Sequence, residues 1–205
     1  MRSEANSEVP SPTERGFLAR GLVYQGLRDF AQLRLPGGLP SLLARLPAAE
    51  AALLGGTLLA SEWYDALPVA VIATEAALLA DQPLKDYMFA NARWQGERDL
   101  GALQRLFLGM PSPQEAALRL HRAATHYFNF GGGESELIGS RCVRLTKRHI
   151  PRSLEAWFHG ASLGFADVVL TRAGARNLAL DLVSSEAETD QGLDSTTLYF
   201  ELSWK

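Results

Sequence analysis

Cysteine is almost missing from this chain: there is one, Cys142, in 205 residues. That excludes an intramolecular disulfide and a zinc site built on several thiolates, and makes a reducing, cytoplasmic setting the expectation. A surplus of one charge is missing too. Lys and Arg number 20 against 23 Asp and Glu, a net charge of −3. No overall field therefore draws the chain to nucleic acid or to an acidic membrane surface, and any anion site has to be local. No uninterrupted apolar run approaches the roughly 18 residues of a membrane span. The opening stretch, through Ser7, Glu8, Pro10 and Pro12, lacks the apolar core of a secretory signal.

Complete catalytic motifs are missing as well. The histidines are His121, His126, His149 and His159. On a helix, His121 and His126 are turned roughly 140° from each other and do not share a metal ion; His126 falls on the polar side with Arg119 and Arg122. Gly160-Ala161-Ser162-Leu163-Gly164 has the letters of a nucleophile elbow. Its expected setting is a helix end before a strand, where the elbow needs a strand, a sharp turn and then a helix, so Gly164 is read as a helix C-cap. Gly131-Gly132-Gly133 lacks the Lys-Ser/Thr of a phosphate cradle and is read as a hinge. Glu186 and Glu188 fall in an acidic segment, Ser184 to Asp194, expected to be an exposed loop.

What is present is an ordinary globular composition, 47% hydrophobic and 21% charged, with a change of period along the chain. Residues 1–15 have too few large apolar side chains to repay ordering and are expected to be a disordered tail. Residues 16–130 carry helical spacing punctuated by Pro36, Pro47, Pro68 and Pro83. Helices are expected near 41–46, 48–54, 64–79, 84–96 and 100–108. Ser112-Pro113-Gln114-Glu115 marks the start of another, as cap, first-turn proline and third-position glutamate, and it is expected to run to about Phe128. Its inward stripe is Leu120, Ala123, Ala124 and Tyr127. Residues 134–205 are expected as a strand at 140–146, a helix at 151–163, and strands at 166–171, 177–183 and 196–204. The last alternates cleanly, with Leu198, Phe200, Leu202 and Trp204 on one face. The fold class is therefore α+β: a helical N-terminal lobe, then a small β-α-β-β lobe with an antiparallel sheet, together one two-lobed domain.

Two clusters are candidates for binding. His121 lies at the edge of the apolar stripe with Ala117 and Phe128, and an imidazole on such a rim is placed to be the axial ligand of a haem. Arg144, Lys147, Arg148 and Arg152, with Arg141 and His149, have no acid between them and form a candidate patch for an anion or a partner. By strand alternation Arg144 and Arg148 share a face with Cys142, while Lys147 shares the other with Val143 and Leu145. Cys142 is read as a small buried hydrophobe.

The segments Arg152-Ser153-Leu154-Glu155-Ala156-Trp157-Phe158-His159-Gly160, Phe165-Ala166-Asp167-Val168-Val169-Leu170 and Tyr199-Phe200-Glu201-Leu202-Ser203-Trp204 resemble a largely myxobacterial protein family. That family is related to 4-vinyl-reductase-like small-molecule-binding domains and to haem nitric-oxide/oxygen (H-NOX) sensor domains. Arg20-Gly21-Leu22-Val23-Tyr24 and Ser61-Glu62-Trp63-Tyr64-Asp65 are similar to the first lobe of those sensors, and the resemblance puts His121 near their proximal histidine. The sensors hold the haem propionates with Tyr-x-Ser-x-Arg, whereas the corresponding stretch here is Leu145-Thr146-Lys147-Arg148-His149-Ile150-Pro151-Arg152.

The expectation is thus a non-enzymatic sensory or adaptor module that binds a small apolar ligand or an unidentified protein partner. It has no cofactor, no nucleic-acid partner and no membrane span, and it has a possible homodimer contact through the last strand. The alternative is a haem-based gas sensor with His121 as axial ligand.

Overall fold

The computed structural model describes residues 16–107, 112–190 and 192–205, of which 100–107 are described as backbone alone. The expected tail, the helix end at Leu108 and the Met110-Pro111 approach to Ser112 lie outside the described residues.

The chain opens with β1 (Leu18–Arg20), which turns directly into α1 (Gly21–Arg34). Two short helices follow, α2 (Gly38–Leu43) and α3 (Ala48–Gly55), before β2 (Trp63–Asp65) returns to pair antiparallel with β1. Next come α4 (Pro68–Leu79), with its proline in the first turn, and the long α5 (Leu84–Phe107). The expected break after Gly96 does not occur, and that glycine sits inside α5 beside Val168 and Phe165.

Ser112 caps the next helix as its sequence predicts, its Oγ accepting from the Glu115 N–H at 3.3 Å. That helix is divided at Leu120 into α6 (Pro113–Arg119) and α7 (His121–Tyr127). Gly131 and Gly132 are bonded to Arg148 rather than free: the Gly131 N–H donates to Arg148 O, and the Arg148 N–H to Gly132 O. Gly133 already belongs to a strand.

The second half is a four-stranded antiparallel sheet of order β3-β4-β6-β5 with one helix across it. Its strands are β3 (Gly133–Gly139), β4 (Cys142–Pro151), β5 (Ala179–Asp190) and β6 (Leu193–Ser203). A 3-10 turn, Arg152–Leu154, leads from β4 into the helix α8 (Glu155–Arg172). The α+β class stands, with a strand, β3, that its exposed and polar sequence Gly-Glu-Ser-Glu-Leu-Ile-Gly conceals.

Two expectations in this half are corrected. Gly164 does not cap a helix, and residues 166–171 are not a strand, since α8 runs through both. Residues 184–190 and 193–194 are not a loop. They extend β5 and open β6 as a long hairpin, in which Glu186 pairs with Thr197 and Glu188 with Ser195. Exposure on both faces makes acidic side chains compatible with a strand there.

Leu198, Phe200 and Leu202 are fully buried on the inner face of β6, as their alternation implies. They join one continuous core that reaches Phe17, Tyr24 and Ile72 in the first half. In that core α5 and α8 approach each other closely. A methyl group on Gly160 would collide with the Lys85 carbonyl oxygen, and one on Gly164 with that of Phe89. The letters of the nucleophile elbow are therefore the footprint of a helix crossing.

Gly160→Ala and Gly164→Ala should each lower stability by about 1–3 kcal/mol, the usual cost of overpacking. Gly132→Ala, which meets nothing within 4 Å and has an ordinary φ, should change it little. Urea unfolding of the three variants checks both statements.

Candidate functional site

Four elements diverge around one cavity. From α5 come Asn91, Ala92, Gln95 and Gly96, all on one helical face, just beyond the crossing glycines. From α7 come Leu120, Ala123, Ala124 and Tyr127, the whole of the predicted inward stripe. Leu145 and Lys147 of β4 form the sheet side, and Trp157, Phe158, Ala161, Ser162 and Phe165 of α8 the opposite one, with Phe128 and Val23 between. Ala92, Gly96, Ala123, Ala124 and Ala161 leave the space open, because none extends past Cβ. The cavity has a volume of about 90 Å³ and opens to solvent on one side, below the roughly 300–1,000 Å³ of drug-sized sites.

Its walls are apolar, with a few polar groups whose state matters. Asn91 Nδ2 donates to Gly26 O at 3.3 Å and Gln95 Nε2 to Leu22 O at 3.1 Å, tying the α5 wall to α1. The Trp157 Nε1 hydrogen is buried without an acceptor. The Tyr127 hydroxyl faces Asp99, yet neither it nor Asp99 Oδ2 completes a hydrogen bond of ordinary geometry. Burial, and after it the Asp99 charge, pushes the phenol well above its usual range.

Lys147 is the unusual member, at 8% exposure. Among the described residues its ammonium has no ion pair and no hydrogen bond, and the Phe158 ring lies 5.9 Å away. Burial pulls it down to about 8. It is the one charged side chain lining the cavity, and no carboxylate lines it.

The structure distributes the sequence candidates differently from their grouping in the chain. Phe128 lines the cavity. Ala117 is fully buried elsewhere in the core, and His121 is half-buried beside the cavity without lining it. The His121 Nδ1 lies 3.1 Å from Ser135 Oγ, and burial, followed by the neighbouring Arg122 charge, lowers its pKa.

Arg144, Lys147, Arg148 and Arg152 do not make one patch. Arg144 is paired with Glu201 at 2.8 Å and Arg148 with Glu134 at 2.5 Å on the outer face, Arg152 is exposed in the 3-10 turn, and Lys147 points inward. Cys142 is half-buried, and burial raises its thiol. Lys147, Trp157 and the α5 amides were the lining groups not picked out as ligand-binding. Alternation of Val143, Leu145 and Lys147 was the available signal for the first, and no local pattern marks the others. Among the described residues no group of three metal-ligating side chains comes together, and no helix is long and apolar enough to cross a membrane.

No family model matches the chain, and no curated protein does. Solved structures do. An unliganded Fe(II) H-NOX protein from K. algicida with one substitution superposes at a TM-score of 0.66, with 10% identity over 91% of this chain and 96% of that one. An oxygen-binding H-NOX domain related to soluble guanylate cyclases, in its oxygen complex, gives 0.57 at 11% identity over 90% and 92%. A third, studied for haem distortion in the H-NOX family, gives 0.56 at 12% identity over 90% and 92%. The fold is thus that of the H-NOX domains.

This corrects the expectation that the chain works without a cofactor: its architecture is one in which solved neighbours carry haem. The residues around the cavity match such a group in part. Alanine, leucine and aromatic walls suit an apolar ring, and Lys147 suits a carboxylate. They do not supply an imidazole to iron, since no histidine, cysteine or methionine lines the cavity.

Unfolded, the Lys147 amine titrates near 10.5, and folded near 8. A folded value below the unfolded one means that folding is penalised wherever the lysine is charged in the unfolded chain. The penalty is full below about pH 8 and fades as pH rises through 10.5. Lys147→Met should accordingly stabilise the protein by about 3 kcal/mol near pH 7, with little gain above about pH 10.5. Urea titrations at the two pH values measure it.

Proposed function

We propose that this chain is a non-catalytic sensor domain that holds a small molecule in the cavity between α5, α7, α8 and β4. The observation that carries this reading is an apolar cavity with an unpaired buried cation and an unpartnered donor, Trp157, and no nucleophile–base pair among its lining residues. The H-NOX architecture supports it and makes haem the first molecule to try. A haem would enter only if the walls part, since the cavity is about 90 Å³; the alanine and aromatic walls would then suit its apolar ring and Lys147 a carboxylate, leaving His121 with Ser135. Kinship with a myxobacterial family and with 4-vinyl-reductase-like domains belongs to the same proposal, the latter being small-molecule-binding domains.

The test is to add haemin to the purified full chain and record the absorption spectrum. A saturable Soret shift is expected, unchanged in His121→Ala and reduced by about tenfold or more in affinity in Ala124→Trp, which fills the cavity. Loss of the shift in His121→Ala with Ala124→Trp unaffected would place the molecule elsewhere and overturn this reading.

A further inference from the structure

Lys147 carries more information than the cavity's shape. It stands on the inner face of β4 with Val143 and Leu145, opposite Leu198 of β6 and Gly133 of β3, a position whose neighbours are otherwise apolar. The arginines on the outer face show what this sheet does with cations that need a partner: Arg144 has Glu201 and Arg148 has Glu134. No lining residue is an aspartate or glutamate, so the protein provides Lys147 with no equivalent. A buried ammonium without a counterion is costly, and a methionine or leucine of similar length would fill the site without that cost.

We infer that the cavity is a receptor for an apolar molecule bearing a carboxylate, and that Lys147 is the residue that binds the carboxylate. This rests on the cavity being the ligand site, and it adds the chemical class of the ligand. A carboxylate offers about four acceptor positions. One meets the Lys147 ammonium in a charge-assisted bond, and the Trp157 Nε1 hydrogen, which lacks an acceptor, is a further donor on the same cavity. The rest of the ligand lies against Ala123, Ala124, Ala161 and Phe158. The depressed pKa of Lys147 agrees with this arrangement, since it describes a cation whose anion comes from outside the chain. A haem propionate and a long-chain carboxylic acid share this chemistry, and their bodies differ, one planar and one linear.

The experiment uses the full chain and four probes: dodecanoate, methyl dodecanoate, metal-free protoporphyrin IX and its dimethyl ester, with binding read by calorimetry. The expected result is that at least one acid binds about tenfold or more tighter than its own ester, a factor within reach of one charge-assisted hydrogen bond. Lys147→Met should remove that preference and still bind the ester. Preference for dodecanoate identifies a linear ligand, and preference for the porphyrin a planar one. Acids and esters binding equally, or a preference unchanged in Lys147→Met, overturns the role of Lys147 and leaves the cavity as a ligand site. If none of the four probes binds and haemin does not bind either, the cavity is not the ligand site and both readings fall.

Discussion

The close crossing of α5 and α8 is the constraint on which the rest of this structure depends. Gly160 and Gly164 bring the backbone of α8 against the carbonyls of Lys85 and Phe89, an approach that a side chain at either position would prevent. The two helices stay in contact along this stretch, Gly164 beside Ala92 and Gly96 beside Phe165 and Val168. Asn91, Ala92, Gln95 and Gly96 on one and Trp157, Phe158, Ala161, Ser162 and Phe165 on the other line the cavity that borders the crossing. Small residues near the crossing leave that space open, and β4 and α7 contribute its other lining residues. The wall of α5 is in turn fixed to α1 by the Asn91 and Gln95 amides, so the first helical layer is part of the same frame.

The sheet shows two treatments of positive charge a residue or two apart. On the solvent side of β4, arginines are answered across the strands by glutamates, and such exposed pairs contribute little to stability. On the core side one lysine is unanswered. Side chains alternate strictly, so Lys147 cannot join its neighbours outside without a slip in register that would turn Val143 and Leu145 out as well. The irregular pairing between Lys147 and Ile150, where His149 has a φ of 56°, lies beyond it and lets the strand end differently without altering the face on which Lys147 sits.

Much of the layout was legible in the sequence where local pattern and tertiary demand agree. The Ser112 cap, the stripe from Leu120 to Tyr127 and the buried row of β6 all follow from spacing, and all four stripe residues line the cavity. Misreadings arose where the same local signal has two physical meanings. Gly164 suggested a helix end, and only a partner helix reveals it, with Gly160, as a contact surface. Acidic side chains between Ser184 and Asp194 suggested a loop, because a strand exposed on both faces has no apolar alternation to show. The basic run from Arg141 to Arg152 looked like one patch because proximity in sequence ignores the pleat. His121 stood out as a lone imidazole near an apolar stripe, and one residue, or about 100° of helix, separates it from the lining position Leu120.

The amino-terminal strand is held by a residue far along the chain. The Leu18 N–H donates to Asn129 Oδ1 at 2.7 Å, and Asn129 Nδ2 donates to Gly16 O at 2.9 Å. These bonds join positions 111 and 113 residues apart, a long loop to close and one that slows assembly. On a ribosome, β1 can pair with β2 early, but its bonds to Asn129 wait until the helices between them have been made. Order of synthesis and order of completion are thus inverted at this edge, and the helices between them have to assemble while that edge is still open.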